Sequence, residues 1–299
     1  MVAVAVDPFW TLALALLLDA AVGRPSWIRA PIAGVRNFFA GLADGCARRL
    51  NRPQRQAADL RIRGAFSLAA LALGAGTLGF FLDELFAGGA LAKAILVAAF
   101  FGQRAAFDDA RAIDQERAPT DDAYSARRRA VSNLIARYSA DVVGSALAYG
   151  IFGLAGLFAY AGALLAAQRF DPRDAAFEHF GAIPDAVART ALRLAAIPAA
   201  LFIAAGAAFT PGGAPGKALG VALGAFAQSG ARLRNGRPAL AVAAFAAGFG
   251  LSFEGRDGWI GSGRARLEPV DGRKALYLYA VACLLHLTAW AGLGFLMAI

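Results

Sequence analysis

Residues 142–168 form a run of 27 residues without a charged side chain, and this run limits what the chain can fold into. A helix needs about 20 residues to cross the roughly 30 Å hydrocarbon layer of a bilayer. Apolar residues make up 59% of the 299-residue chain and charged residues only 17%, whereas soluble domains carry about 25% charged residues. One globular core cannot cover so much apolar surface, so the sequence predicts an integral membrane protein. Gly150, Gly153 and Gly156 would allow a re-entrant hairpin inside this run.

Further stretches have the composition of membrane spans. They are residues 8–18 (extended to Val22 if Asp19 is admitted), 64–82, 194–216 (interrupted by Pro198 and Pro211) and 275–299. Two shorter uncharged stretches, 94–103 and 218–231, are too short for a confident span, and 238–253 fits a span, a re-entrant piece or a buried helix. We therefore predict an all-α, polytopic membrane helical bundle with about five spans, give or take two.

Arginines are distributed unevenly along the chain, and this predicts the orientation. Between the first two spans, two aspartates face nine arginines, at positions 24, 29, 36, 48, 49, 52, 55, 61 and 63. Because cytoplasmic loops carry an excess of Lys and Arg, the segment Arg24–Arg63 is predicted to be cytoplasmic. The basic residues follow the first apolar run, which indicates a retained span entering from outside and not a cleavable signal peptide. The net charge of +9 then fits the lipid bilayer as partner and not nucleic acid.

Two polar segments interrupt the single membrane domain predicted over residues 1–299. In residues 104–141 arginines are matched by acidic residues, and a small polar helical subdomain is expected. Its last part has one apolar helical face, made by Val131, Leu134, Ile135 and Tyr138. Residues 255–274 contain several glycines and Pro269, which predicts a glycine-rich polar loop.

Two glycine motifs have the spacing of nucleotide-binding loops but the wrong context. Gly74–Gly79 fits a dinucleotide fingerprint, yet it lies inside an apolar run with no preceding strand, so close helix packing is the better interpretation. Residues 211–218 lack the first glycine of a phosphate loop and have Ala218 where magnesium needs Ser or Thr, so they predict a turn. Cys46 and Cys283 are isolated, and neither a disulfide nor a metal site is predicted.

Asp19, near the end of the first span, is the polar residue that most requires an explanation. A carboxylate is costly there, and two interpretations stay open: Asp19 faces a cavity or a partner, or it reaches the interface or pairs with Arg24. His286, in the last span, is predicted to be a hydrogen-bonded packing residue. Three tryptophans suit anchoring at the membrane interface, namely Trp10, Trp259 and Trp290.

A series of short segments keeps a characteristic order and spacing from about Leu18 to Tyr279. It comprises Leu18-Asp-Ala-Ala-Val-Gly-Arg-Pro-Ser-Trp27, Pro31-Ile32, Arg49–Pro53, Arg61–Gly64, Ala126–Ala130, Gly153–Gly156, Tyr160, Phe180-Gly181, Arg189, Ile197-Pro198, Trp259–Gly261 and Leu267–Pro269. Together these segments resemble the integral membrane CbiB/CobD family of cobalamin biosynthesis, the adenosylcobinamide-phosphate synthases.

The resemblance implies an amide-forming ligase at the membrane face. Such an enzyme joins aminopropanol, or its phosphate, to a propionate carboxylate of a corrinoid, cobyric acid. ATP and magnesium are implied as cofactors only if this activity is retained, and no cofactor is evident from the residues. The implied partners are a corrinoid ligand and other cobalamin-pathway proteins at a bacterial inner membrane. Asp19, Arg189 and Trp259 are the expected substrate-binding residues; the catalytic residues are unknown.

The chain departs from the family pattern where polar groups are expected. Ser132–Arg137 lacks two glutamates and an asparagine, Tyr160–Arg169 lacks a lysine, an asparagine and an aspartate, and Arg189–Ala195 keeps only the arginine. Arg24 and Ala30 replace an aspartate and a histidine. Amide formation needs positioned donors and proton acceptors. Three functions therefore remain open: a corrinoid-pathway protein, a non-catalytic scaffold, partner subunit or sensor on the same fold, and a small-solute transporter.

Overall fold

The computed structural model describes residues 8–23, 26–52, 54–115, 120–227, 239–255 and 258–298, and 81% of the structure is helical. The α-helices are α1 (Pro8–Val22), α2 (Ser26–Leu50), α3 (Ala57–Leu85), α4 (Ala90–Ala98), α5 (Gln103–Gln115), α6 (Asp121–Arg137), α7 (Ser145–Arg169), α8 (Ala182–Ala208), α9 (Pro215–Ala227), α10 (Ala239–Phe249) and α11 (Pro269–Met297). A π-helical segment, Tyr138–Gly144, joins α6 to α7. Strands β1 (Phe253–Gly255) and β2 (Gly258–Ile260) form an antiparallel hairpin.

Five helical stretches of the described chain are long and apolar enough to cross a membrane, which confirms the predicted polytopic helical bundle. They are Ala57–Leu85, Ala90–Ile113, Asp121–Arg169, Ala182–Ala208 and Pro269–Met297. The stretch Ala90–Ile113 corrects the expectation that 94–103 is too short, because the helical region extends past Arg104. Helix α1 covers the predicted first span with 15 described residues, about 22 Å of helix, which is less than a full crossing.

Two predicted element boundaries were wrong because a helix begins earlier than its uncharged run. Helix α8 starts at Ala182, continues through Pro198 and ends before Pro211. Helix α11 starts at Pro269, so the predicted loop 255–274 ends at Glu268 and is partly a β-hairpin. Proline favours the first turn of a helix because its missing N–H needs no partner there. A reciprocal pair of side-chain to backbone bonds between Glu268 and Asp271 caps the same turn.

Helix α2 is a 25-residue helix in a segment predicted only as an arginine-rich connection. Phe39, Ala40 and Ala43 are buried along one side, and α2 packs against α3 and α7. The arginines are spread along the helix, so its apolar run is too short to resemble a span. The predicted cytoplasmic position of Arg24–Arg63 stays a prediction, and Arg24 lies outside the described residues.

The described chain divides into two compact units. The first comprises Met1–Ala15, Arg24–Ala99 and Ser145–Ala191, and the second comprises Leu16–Gly23, Phe100–Gly144 and Leu192–Ile299, each through its described residues. A single membrane domain over residues 1–299 stays a prediction, and each unit is described by itself.

In the first unit, α3 and α7 pack closely because glycines face backbone atoms. A Cβ on Gly79 would lie 2.5 Å from the Leu154 carbonyl oxygen, and one on Gly162 would lie 3.0 Å from the Leu71 oxygen. The paired positions run in opposite directions, so this part of α7 is antiparallel to α3. Gly74–Gly79 lies entirely within α3, which confirms helix packing as the role of this motif.

Helix α7 is interrupted at Gly153, inside the 27-residue uncharged run. Gly153 has φ +63° and ψ −155°, a conformation that is essentially restricted to glycine. A Cβ on Gly156 would lie 2.6 Å from the oxygen of Ala148, eight residues earlier, whereas a straight helix would separate these positions by about 12 Å. The chain therefore folds back at the glycines that the sequence suggested for a hairpin.

We expect Gly153→Ala to lower the free energy of unfolding of the protein by about 1–3 kcal/mol, because alanine is strained at this φ and ψ. The new Cβ would also lie 3.2 Å from Oδ2 of Asp83. The midpoint of unfolding in detergent measures the effect. Gly88→Ala, which has open space around its Cβ, is the control. Equal midpoints for the two variants would contradict the fold-back.

In the second unit, α11 packs against α5 and α6, and the hairpin packs against α6 and α10. The predicted polar segment 104–141 forms α5, α6 and the start of the π-helical segment. Its predicted apolar face is confirmed, since its four side chains are at most 3% exposed, namely Val131, Leu134, Ile135 and Tyr138. The turn predicted over residues 211–218 is confirmed only as far as residue 214, because helix α9 begins at Pro215.

Candidate functional site

Helix α6 carries three consecutive arginines, and its geometry separates their environments. The Thr120 hydroxyl caps the helix by accepting a bond from the N–H of Ala123 at 3.3 Å. Successive residues point about 100° apart, so Arg127 is buried, Arg128 is half-buried and Arg129 is exposed. Nη1 of Arg127 donates to the carbonyl oxygen of Leu267 at 3.1 Å. This bond ties α6 to the segment that precedes α11.

The β-hairpin places an exposed indole beside the second of these arginines. Glu254 and Trp259 are opposite each other in the strand pair, and Trp259 is 58% exposed. The guanidinium of Arg128 lies 4.9 Å from the centre of the Trp259 ring, a cation–π arrangement. Arg128 also donates to the Ala265 oxygen at 3.3 Å and to Glu254 Oε2 at 3.2 Å. We call Arg128, Glu254 and Trp259 the hairpin surface.

The segment that follows the hairpin is fixed by charged contacts to the first turn of α11. Arg264 donates to Oε1 of Glu268 at 2.6 Å and to Oδ2 of Asp271 at 2.7 Å. Gly261 has φ +90°, and a Cβ there would lie 2.5 Å from the Leu251 oxygen, so this turn requires glycine. These contacts hold the segment after the hairpin, and Arg128 is oriented by the Ala265 oxygen of that segment.

Asp19 is buried and caps a helix, a role that the sequence did not predict. Its suggested partner Arg24 lies outside the described residues, so the two interpretations left open by the sequence stay predictions. Oδ2 of Asp19 accepts a bond from the backbone N–H of Gln103, the first residue of α5, at 2.6 Å. The partial positive charge of a helix N-terminus favours a carboxylate at this place. The Gln103 side chain donates to the Leu16 oxygen, and the Gln103 oxygen accepts a bond from Tyr279. Asp19 thus joins α1, α5 and α11.

The other predicted binding residues have separate surroundings. Arg189 lies on α8 and forms an ion pair with Asp185 at 3.0 Å. It belongs to the first unit, whereas Asp19 and Trp259 belong to the second. The described contacts do not join Asp19 to Trp259. Their shared role in substrate binding stays a prediction, and the hairpin surface includes only Trp259 of the three.

His286 is buried, and Trp290 donates its Nε1–H to His286 Nε2 at 2.7 Å, which confirms a hydrogen-bonded packing role. The prediction of Trp290 as an interface anchor was wrong, because Trp290 is only 9% exposed. Trp10 is 47% exposed and remains suited to the membrane interface.

The segments that depart from the family pattern present few polar groups. Within Ser132–Arg137, Leu134 and Ile135 are buried. Arg137 pairs with Asp109 at 2.8 Å and with Asp141 at 3.4 Å. Within Tyr160–Arg169, Ala166 and Ala167 are buried. Across the described residues, no group of three His, Cys, Asp or Glu side chains is arranged to hold a metal ion. The hairpin surface combines an exposed indole with a guanidinium that pairs with Glu254.

Two residues of the hairpin surface were missed by reasoning from the sequence. Arg128 lies within the recognised segment Ala126–Ala130, so the sequence carried a signal for it, but its partner is 131 positions away at Trp259. Glu254 precedes the recognised segment Trp259–Gly261 and had no signal of its own.

Comparison with known proteins identifies the family. The family model described as CobD/Cbib protein matches residues 12–143. "Cobalamin biosynthesis protein CobD" of Rhizobium meliloti (strain 1021) is 32% identical over 224 residues, covering 67% of this chain and 68% of that protein. The protein of the same name from a Sinorhizobium species is 30% identical over 236 residues, covering 71% and 73%. No solved structure matches the chain. The chain belongs to the CobD/CbiB family of cobalamin biosynthesis proteins.

Proposed function

We propose that this protein works in cobalamin biosynthesis by binding a corrinoid at the membrane face, with the hairpin surface as the binding site. Its family membership supports the pathway. One observation carries the site: the Arg128 guanidinium is held over an indole that is 58% exposed.

The chemistry of a corrinoid fits such a surface. Its macrocycle is broad and apolar, and its rim carries carboxylate and amide side chains. An exposed indole can stack on the macrocycle, while a guanidinium can donate two parallel bonds to a rim carboxylate. The Ala265 oxygen already orients Arg128, so little side-chain entropy is lost when a ligand binds.

The proposal covers binding and positioning of the corrinoid, not the amide-forming step. Ser132–Arg137 and Tyr160–Arg169 lack the polar side chains that the family pattern has there. The carboxylates near the hairpin surface are engaged, since Glu254 pairs with Arg128 and Glu268 pairs with Arg264. ATP and magnesium enter the proposal only if amide formation is measured.

Equilibrium dialysis tests the proposal. The full chain in detergent is dialysed against cobyric acid, and the bound corrinoid is read from its visible absorbance. We expect saturable binding. No binding above that of an unrelated membrane protein would overturn the proposal. Adding aminopropanol phosphate, ATP and magnesium to the same samples and searching for the amide by mass spectrometry then measures the catalytic step separately.

We also propose that the protein resides in a bacterial inner membrane and meets other cobalamin-pathway proteins there, with the end of the first unit that holds residues 51–56 facing the cytoplasm. The excess of arginine in Arg24–Arg63 supports this orientation. Because the second half of α7 is antiparallel to α3, the loop after α7 lies at the same end of α3 as these residues. Asn51 donates to the Ala176 oxygen at 2.6 Å across that end.

Cysteine labelling in cells checks this topology. In a Cys46→Ser, Cys283→Ser background, single cysteines replace Gln54, Ala175 or Gly88. We expect Gln54→Cys and Ala175→Cys to react with an impermeant maleimide only after the membrane is opened. Gly88→Cys, at the other end of α3, should react in intact cells. Opposite labelling of Gln54→Cys and Ala175→Cys would contradict the antiparallel arrangement.

A further inference from the structure

Four exposed arginines surround the connection between α2 and α3 in the first unit. They are Arg48, Arg49, Arg52 and Arg61, which we call the basic corner. None of the ion pairs found among the described residues includes any of the four. Neighbouring arginines differ, since Arg63 pairs with Asp59 at 3.1 Å and Arg169 pairs with Asp44 at 3.3 Å. Within the part of the chain that the structure describes, the charge of the basic corner is therefore not neutralised by an ion pair.

The backbone that carries the basic corner is held in place. Asn51, between Arg49 and Arg52, donates to the Ala176 oxygen at 2.6 Å. The ion pair of Asp44 with Arg169 joins α2 to the end of α7. Gly64, one turn after Arg61, packs directly against the Phe180 carbonyl, where no side chain fits. The helix ends that carry the guanidinium groups are thus joined to other elements of the first unit.

The basic corner lies where the apolar part of α3 begins. The uncharged run starts at Gly64, within one turn of Arg61. Ile62 and Phe66 beside it are 55% and 69% exposed, as expected for side chains that face lipid tails. Arginines at this position reach the headgroup layer while their methylene stems cover apolar surface. Arg48 and Arg49 occupy the last turn of α2, where the helix dipole also favours positive charge.

We propose that the basic corner is a binding site for anionic phospholipid headgroups, with phosphatidylglycerol as the probe. Guanidinium groups match phosphate oxygens in charge and in fork geometry. The adjoining exposed apolar side chains supply the contact with acyl chains that a free phosphate ester does not use. The basic corner belongs to the first unit and the hairpin surface to the second, so either proposal can fail without the other.

Lipid retention measured by native mass spectrometry tests this site. The purified full chain in a neutral detergent is given equal amounts of phosphatidylglycerol and phosphatidylcholine. We expect the wild type to retain phosphatidylglycerol preferentially. Arg52→Gln with Arg61→Gln should lower that preference about 25-fold, since each arginine near an anionic surface contributes about a factor of five. Changing all four arginines should remove the preference, and added salt should weaken it in the wild type.

A charge-matched double variant is the control. Arg55→Gln with Arg173→Gln removes two exposed arginines of the same unit that already have acidic partners, Asp59 and Asp171. This control should keep the preference, and corrinoid binding should be unchanged in all variants if they fold. Equal retention of the two lipids by the wild type, or equal losses in the two double variants, would overturn the proposal. Competition by glycerol phosphate at the lipid concentration would indicate a soluble phosphate ester and also overturn it.

Discussion

Replacing Arg128 with Gln, or Trp259 with Leu, is expected to weaken corrinoid binding by about tenfold or more. The first change removes a charged donor, and hydrogen bonds to charged groups contribute about 1.5–3 kcal/mol. The second removes the exposed ring and with it the cation–π contact of 4.9 Å that orients the guanidinium. Arg128→Lys should also bind weakly, because an ammonium group lacks the planar fork. Equilibrium dialysis against cobyric acid measures all three variants.

Matched controls separate this effect from a general loss of positive or aromatic surface. Arg129→Gln removes the exposed arginine next in sequence, and Trp10→Leu removes another exposed indole. Both should bind as the wild type does. Glu254→Gln should bind at least as tightly as the wild type, because the Glu254 carboxylate now competes for Nη2 of Arg128 at 3.2 Å. A loss in Arg129→Gln equal to that in Arg128→Gln would contradict the assigned site.

Gly79→Val should lower the free energy of unfolding by about 3 kcal/mol, at the upper end of the range for overpacking a tight interface. Its Cβ alone would lie 2.5 Å from the oxygen of Leu154 and 3.0 Å from the Cα of Ala155. Backbone atoms cannot move aside as a flexible side chain can, so α3 and α7 must separate. The midpoint of denaturant-induced unfolding in detergent, followed by circular dichroism, gives the change.

Gly74→Ala in the same helix is the control for this prediction. Its Cβ would meet only Cε1 of Phe39 at 3.7 Å, an ordinary contact. Because alanine is the better helix former by about 1 kcal/mol, this variant should be neutral or slightly more stable. If Gly79→Val unfolds at the same denaturant concentration as Gly74→Ala, the close approach of α3 and α7 is wrong.

The prediction of membrane spans was correct where a span can be recognised from local composition. Uncharged runs of sufficient length predicted α3, α7 and α11 directly, since the free energy of placing a helix in lipid depends on the residues of that helix. Helix α2 escaped prediction because its burial depends on α3 and α7, which lie beside it only in the folded chain. The span Ala90–Ile113 was missed because charged residues from Arg104 onward share it with apolar ones.

The candidate site was predicted only in part, because some of its contacts join residues that are far apart in the sequence. Trp259 was identified because its segment resembles the family, and its exposure agrees with a binding role. Asp19 was identified as costly, but its role as a helix cap depends on Gln103, 84 positions away. No local pattern reveals such a pairing. Arg128 was recognised as a site residue only from the fold, in which the hairpin places Trp259 beside it.

Quenching of Trp259 fluorescence by a corrinoid tests the central claim most directly, because corrinoids absorb where indoles emit and quench an indole more strongly the closer it lies. The full chain in detergent is titrated with cobyric acid, and wild type, Trp259→Phe and Trp10→Phe are compared at equal absorbance. We predict saturable quenching of similar size in the wild type and in Trp10→Phe, and markedly smaller quenching in Trp259→Phe. Saturable quenching of unchanged size in Trp259→Phe would show that the corrinoid binds elsewhere and would contradict the hairpin surface as its site.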